Sequence, residues 1–472
     1  MKIEQIYTGC LAQGAYYIES NGEVAIIDPL REVQPYINKA ETAEAKIKYI
    51  FETHFHADFV SGHVTLSEKT GAPIIYGPNA NPNFDAITAK DGQEFKLGEL
   101  TFVVLHTPGH TMESTTYLLK DKDGKDHALF TGDTLFLGDV GRPDLAQKAA
   151  NMTQEQLAET LYASLRNKIM PLADDIVVYP AHGAGSACGK NMMKETVDTL
   201  GNQKEKNYAL RFDMTKEEFV KEVTDGLLPP PAYFPLNVKL NKEGYKDIDD
   251  VIAQAENALS PDAFEAAANE TGAVVLDVRH QNDFAKGHIP GSIFIGIDGS
   301  FAPWVGDLIK DVQQPILLIV DKDRVEEVIT RLSRVGFDNT LGYLDGGFEA
   351  WKKASKEYDT VTSIPATEFK QIEDDSRSDV PLFDVRKLGE FQSEHVVNAN
   401  HTPLSEINDH LAGYPDNETF YVHCAGGYRS MIAASILKSR GIHNLIDVQG
   451  GFKAIKEAGV ETTDYVCPST LK

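Results

Sequence analysis

Two stretches of this chain occur twice. VVLDVRHQNDFAKGHIPGSI at 274–293 returns in altered form as PLFDVRKLGEFQSEHVVNAN at 381–400. LGYLDGGFEAWKKA at 341–354 returns as LIDVQGGFKAIKEA at 445–458. Both offsets are just over a hundred residues, the size of a small domain. Between the marks, each copy carries an apolar strand run, PILLIV or TFYVHC, and then a helical pattern. Strand–helix alternation of this kind predicts a parallel sheet with helices on both faces. The joint between the copies is expected near residues 356–366.

The chain before the repeat is of another kind. EVAIID, IKYIFETH, PIIYG, LTFVVLHTPGH, TTYLL and HALFTGD are strand-like runs that end in glycine or proline turns. With the helical segments between them they predict a mixed α/β unit. The proline cluster LPPPAYFPLNV at 228–238 breaks the pattern and reads as a boundary or linker.

Composition excludes several classes. At roughly 100–200 residues per domain, 472 residues make two to four domains, each able to bury a core. The hydrophobic fraction of 42% and charged fraction of 25% are those of ordinary globular chains. No apolar run approaches the roughly 18 residues a membrane helix needs. The start, MKIEQIYTGCL, lacks the basic and apolar regions of a signal peptide, so no membrane and a cytoplasmic location are expected. The net charge of −26 would repel nucleic acid and otherwise reads as a solvated acidic surface. Cys10, Cys188, Cys424 and Cys467 are far apart and form no CxxC pair, which argues against a disulfide framework or structural zinc.

The first unit concentrates metal-ligand residues at strand ends. Thr53-His54-Phe55-His56-Ala57-Asp58 follows the apolar run KYIFE. His110 lies in HTPGHT, Asp133 in FTGDTLF and His182 in YPAHGAG. Each ends an apolar run at a turn, where the backbone can swing side chains together. Imidazole and carboxylate donors suit iron or zinc. Any one such histidine is usually a satisfied core or surface residue. The ordered set HxHxD, TPGH, TGD and PAH is not explained that way.

These motifs resemble the metallo-β-lactamase superfamily, and the resemblance extends over about residues 1–235. It implies an αββα sandwich with a metal site at the edge of its two sheets. Dinuclear hydrolases of the superfamily read THxHxDH, the last histidine binding the second metal. This chain has Phe59 there, which has no lone pair to donate. Asp58 and His182 would hold a second metal only weakly, so a mononuclear site is expected. The one-iron members are the persulfide dioxygenases. Carried over, the resemblance implies one Fe(II) per chain, bound by His54, His110 and Asp133, with three positions open for O2 and a persulfide. His56, Asp58 and His182 would then orient ligands from behind, although His56 would ligate if the metal were zinc. GDVGRPDL at 138–145 resembles the GRTD-type loop of these dioxygenases. Arg142 there is read equally as a contact for an anionic thiol substrate or as a brace of the loop. Cys188, six residues after His182, is either a thiol at the mouth of the site or a packed cysteine.

In the last copy, TFYVH leads into Cys424-Ala425-Gly426-Gly427-Tyr428-Arg429-Ser430 and then a helical run. A glycine loop opening a helix turns backbone N–H groups inward, and Arg429 adds positive charge. Both are expected to lower the Cys424 pKa and hold a thiolate or persulfide anion, with Ala425 to Ser430 as the binding loop. The loop and the paired DVR and GGF marks resemble the rhodanese family of sulfurtransferases. Related phosphatases carry a loop one residue longer, so the six residues from Cys424 to Arg429 favour sulfur over phosphate. The first copy has Asp321-Lys322-Asp323-Arg324-Val325 instead, and no cysteine occurs from 189 to 423. It is expected to be an inactive spacer or docking surface.

Together the parts resemble persulfide dioxygenase–rhodanese fusion proteins. The expected fold is an αββα sandwich over 1–240, followed by two small doubly wound parallel-sheet domains. Of these, 258–356 is inactive and 362–472 catalytic. The resemblance implies oxidation of a thiol persulfide (glutathione, coenzyme A or similar) by O2 to sulfite and thiol. It also implies sulfane-sulfur transfer that makes or uses thiosulfate, and by family analogy a homo-oligomer. A zinc-dependent thioester hydrolase like glyoxalase II, fused to a sulfurtransferase, is the alternative.

Overall fold

In the computed structural model, the structure describes residues 1–227, 229–376 and 380–467. Leu228, which opens the proline cluster, and 468–472, the end of the expected catalytic domain, lie outside the described residues. The chain divides into two compact units, Met1–Asp250 with Leu332–Gly336, and Val251–Arg331 with the chain from Phe337 on. No helix among the described residues is long and apolar enough to cross a membrane.

The first unit holds two six-stranded sheets. One runs in sequence order through Lys2–Thr8, Gln13–Ser20, Glu23–Ile27, Lys46–Phe51, Ile74–Tyr76 and Ile87–Thr88. The other is ordered Asp198–Thr199, Val177–Pro180, Asp126–Gly132, Thr115–Lys120, Leu100–His106 and Glu94–Leu97. Their inner faces share a core that includes Tyr16, Ile18, Phe51, Phe102, Tyr117 and Phe130. Burying each of these large side chains contributes roughly 1.5–3 kcal/mol. Helices cover the outer faces: Tyr36 and Leu66 on one side, Leu157, Leu161 and Phe219 on the other. The layers are therefore the αββα sandwich expected. All six strand-like runs read from the sequence are strands.

The linker expectation holds only in part. Phe234–Glu243 is a helix with proline in its first turn, where the missing N–H is no loss. From it the buried Asn241 reaches the histidine loop. Its amide donates to the carbonyls of His56 and Phe59, at 2.8 and 2.7 Å, and its oxygen accepts from the Ser61 N–H at 2.8 Å.

The second unit holds two five-stranded parallel sheets of identical connectivity. Their orders are Ala258–Leu259, Thr340–Leu344, Ile316–Ile319, Val274–Asp277, Ile293–Phe294 and Ser363–Pro365, Leu445–Gln449, Phe420–His423, Leu382–Asp384, Asn400–His401. The central strands Ile316–Ile319 and Phe420–His423 are buried throughout, as strands covered on both faces must be. The repeated DVR mark does the same work twice. Arg279 pairs with Asp277 and donates to the Gly287 carbonyl, while Arg386 pairs with Asp384 and donates to the Glu394 carbonyl.

Asn241→Ala leaves two carbonyls and an N–H of the histidine loop without partners. Hydrogen exchange of a 54–64 peptide is expected to quicken by more than about tenfold, with a 420–440 peptide unchanged. Unaltered exchange at 54–64 would show that this fastening is dispensable.

Candidate functional site

The metal-ligand residues meet because strand ends are tied to one another. Asp28 follows the strand Glu23–Ile27 in a left-handed conformation, φ 49°. Its carboxylate accepts from the Thr53 N–H and the Thr53 hydroxyl, both at 2.8 Å. The single hydroxyl proton of Thr53 is thereby used, so at 3.0 Å its oxygen accepts from His54 Nδ1. His110 Nδ1 lies 2.8 Å from the Arg142 carbonyl, which only accepts. Both rings therefore carry their proton on Nδ1 and present the Nε2 lone pair. Those two atoms face one oxygen of Asp133: His54 Nε2 at 3.8 Å and His110 Nε2 at 3.4 Å from Oδ2.

Glycines permit this approach. Gly132 has φ 52°, and a Cβ there would lie 2.7 Å from the Thr53 side chain. At Gly141 a Cβ would lie 2.0 Å from the Asp133 carbonyl oxygen and 2.9 Å from His110 Nδ1.

A second trio adjoins the first. His182 Nε2 lies 3.4 Å from Asp133 Oδ1 and 3.5 Å from Asp58 Oδ2. His56, Asp58 and His182 offer donor atoms within 4.8 Å of one another, as do His54, His110 and Asp133. The structure thus brings all six residues read from the sequence together, and all are buried. His56 Nε2 also faces Asp28 at 3.1 Å and Glu52 at 3.5 Å. Phe59 lies against the His56 ring, centroids 4.4 Å apart.

Electrostatics follow from burial. Burial and three neighbouring imidazoles hold His54 well below the usual range, so it is neutral, as a ligand must be. Burial also opposes charge on His56, but Asp28 and then Glu52 overcome it and lift that ring to about 9. Burial and the Asp28 charge push the Glu52 carboxyl well up. Asp58 is raised by burial. Neither oxygen of Asp133 takes an N–H or O–H hydrogen bond, and neither nitrogen of His182 makes one, its Nε2 meeting the two carboxylates only at 3.4 and 3.5 Å. Buried donors and acceptors left this way are costly unless a cation joins them. The residues fit a metal ion.

Cys188 is inside this cluster, its sulfur within 4.8 Å of donor atoms of Asp133 and His182. Burial, then the charges of Asp58 and Asp133, push its thiol well up. Arg142 is committed elsewhere: two nitrogens meet Asp144 at 2.7 Å and a third the Ala187 carbonyl at 3.3 Å. This favours the brace over the substrate contact. Sequence reasoning missed Asp28 and Glu52. The signal for Asp28 was available, since EVAIID ends a strand in a carboxylate just as FTGD does.

In the second unit, strand Phe420–His423 leads through the cysteine loop into helix Tyr428–Ser439. Gly427, φ 102°, turns its N–H onto Cys424 Sγ at 3.1 Å. Arg429 does not offer a free charge, because Glu390 holds it through two bonds of 2.6 and 2.8 Å. Ser430 donates to Asp447 at 2.6 Å, and the Tyr428 hydroxyl to the Gly296 carbonyl of the first copy at 2.7 Å. The first copy thus touches the residue that follows the glycines of the cysteine loop. Its own loop is closed by Arg324, paired with Asp298 and Glu327 at 2.8 Å each.

The pattern of the metallo-beta-lactamase superfamily matches residues 8–182, and that of the rhodanese-like domain matches 260–354 and 365–458. The hydroxyacylglutathione hydrolase GloC of Haemophilus influenzae is 30% identical over 213 residues, 40% of this chain and 94% of the relative. A crystal structure of a metallo-beta-lactamase from Staphylococcus aureus is 31% identical with a TM-score of 0.63, covering 73% of this chain and 98% of that one. This chain belongs to the metallo-beta-lactamase superfamily. It joins a domain of that superfamily to two rhodanese-like domains. Human mitochondrial persulfide dioxygenase ETHE1 is 29% identical over 222 residues, 46% of this chain and 78% of the relative. For this superfamily member, the two trios around Asp133 are the metal-binding site of the fold.

Thr53→Val keeps the side-chain shape but removes the acceptor that fixes the His54 tautomer. Affinity of the purified protein for ferrous iron or zinc, measured by competitive chelation, is expected to fall about 10–100-fold. Unchanged affinity would exclude the Asp28–Thr53–His54 relay from the ligand set.

Proposed function

We propose that this chain oxidises the outer sulfur of a low-molecular-weight thiol persulfide with O2, and moves sulfane sulfur through Cys424. The first reaction balances as RSSH + O2 + H2O giving RSH and sulfurous acid, which ionises to sulfite. The observation that carries this reading is the pair of Nε2 lone pairs, from His54 and His110, converging on one oxygen of Asp133. Two histidines and one carboxylate on one side of an ion are the ligand set of mononuclear non-haem iron. His54, His110 and Asp133 would hold ferrous iron there, which would supply the redox chemistry that the reaction with O2 needs. Phe59, in place of a further histidine, supports a single metal.

The protein's own residues do the rest. Thr53 and the Arg142 carbonyl fix the two ligand rings, and Asp28 fixes Thr53. Apolar side chains such as Phe59 and Phe136 pack beside His56 and His182, so bulk water is kept from the cluster. The similarity to human persulfide dioxygenase supports the same reaction class.

At the second site the Cys424 thiolate attacks the outer sulfur of RSSH. The S–S bond breaks with its electron pair leaving on RS, which takes the proton as RSH. Cys424 then carries the sulfane sulfur as a persulfide, and sulfite removes it as thiosulfate, restoring the thiolate. Run in reverse, the same steps make a persulfide from thiosulfate. No external oxidant is needed either way. The cytoplasm, which lacks secretory oxidation, suits such free thiols.

One observation favours a second reading. His56, Asp58 and His182 already converge beside the first trio, and the GloC hydrolase is a relative. Two zinc ions there would activate water for thioester hydrolysis.

Metal analysis separates the two: about one iron per chain is expected, whereas two zincs would overturn the dioxygenase reading. His110→Ala is expected to abolish O2 uptake and spare thiosulfate:cyanide sulfur transfer, and Cys424→Ser to do the opposite. Loss of both activities in either folded variant would end the assignment of separate sites.

A further inference from the structure

Residues of both rhodanese-like copies line a cavity of about 640 Å³ that is open to solvent. Ligand pockets for small molecules run from about 300 to 1,000 Å³. Gly426 and Gly427 of the cysteine loop form part of its wall, with Asp447 from the same copy. Gln281, Asn282 and Lys286 come from the first copy. The cavity therefore meets the loop whose Gly427 N–H holds the Cys424 sulfur.

Asp447 is the unusual group. The internal repeat aligns it with Tyr343, so the catalytic copy has a carboxylate where the inactive copy has a phenol. Its side chain is almost wholly buried, yet no lysine or arginine pairs with it among the described residues. It accepts only hydroxyls, from Ser430 at 2.6 Å and Ser363 at 3.3 Å. Burial lifts its pKa to about 6, so at neutral pH it is still mostly charged. Hydroxyls satisfy its lone pairs without cancelling that charge. A buried anion lining a ligand-sized cavity calls for a cation on the ligand.

The other formal charge on the walls is Lys286, which is exposed and meets Asp283 only at 3.8 Å. The remaining polar wall groups are amides and hydroxyls. One anion and one cation suit a zwitterion. A thiol carried on several phosphates would meet a single lysine and a repelling carboxylate.

We propose that this cavity binds the carrier portion of an amino-acid-type thiol persulfide, its ammonium on Asp447 and a carboxylate at Lys286, with its sulfur presented to the Cys424 loop. The proposal rests on the reading of Cys424 as the sulfur-transfer residue. It gives the inactive copy a part in substrate choice through Gln281, Asn282 and Lys286.

The test measures Cys424-dependent sulfur transfer to cyanide by the full-length protein, with the Cys424→Ser rate subtracted. The donors are glutathione persulfide, the same compound acetylated on its amino group, coenzyme A persulfide and thiosulfate. Acetylation is expected to lower kcat/KM at least about tenfold, the loss of one charge-assisted contact. Coenzyme A persulfide is expected to be poorer than glutathione persulfide. Asp447→Asn is expected to bring glutathione persulfide down to the acetylated level, and Lys286→Ala to lower both by the same factor. Equal use of the first two donors by the unaltered protein overturns the proposal, whatever the fate of the variants. So does discrimination that survives Asp447→Asn, or a preference for coenzyme A persulfide. Thiosulfate carries no ammonium and tests Cys424 alone. Its transfer without amine discrimination removes only the cavity's role, and its absence removes the reading beneath.

Discussion

Asp133 is a buried carboxylate with imidazoles on both sides and no strong hydrogen-bond donor on either oxygen. Such a group is costly to bury unless a cation completes it. Much of the first unit exists to hold it so. Gly132 lets its strand turn beside Thr53, and Gly141 lets the next loop pass within contact of its backbone. That loop then gives the Arg142 carbonyl to His110, which sets the ring's tautomer. Asp28 does the same for His54 through Thr53. Which nitrogen His54 and His110 present to Asp133 is thus set by hydrogen-bond partners outside the trio.

In the second unit the corresponding feature is the loop that opens at Cys424, between strand Phe420–His423 and helix Tyr428–Ser439. A backbone N–H points at Cys424, and the nearby guanidinium is shared with Glu390. Around this, both copies keep one scaffold: the same strand order, the same Asp–Arg brace and the same glycine pair after the last strand. In the first copy the loop that follows the central strand has no cysteine, and Arg324 pairs there with Asp298 and Glu327. A fold's core and the side chains of any site it carries rest on different residues, so one can be kept while the other varies.

The strands and the six metal-site residues were legible because each signal is local. An apolar run, a turn and a ligand side chain sit within a few residues of one another. Partners distant in the chain were not legible. Glu390 neutralises Arg429 from 39 residues away, Tyr428 reaches the Gly296 carbonyl 132 residues back, and Asn241 fastens a loop more than 180 residues before it. The proline cluster misled for a physical reason: Pro235 reads as a breaker but stands in a helix's first turn. Arg142 could have been read more sharply, since Asp144 is two residues away and supplies the brace. Cys188 had no local signal to separate packing from proximity to ligands, and only the fold places it beside Asp133 and His182.

Consumption of dissolved oxygen against sulfite formed, with glutathione persulfide as substrate and the iron-loaded protein, is the most direct measure of the account. One O2 taken up for each sulfite released, with none taken up when the thiol lacks its outer sulfur, is the expected result. Release of products from a glutathione thioester with no oxygen consumed would contradict it.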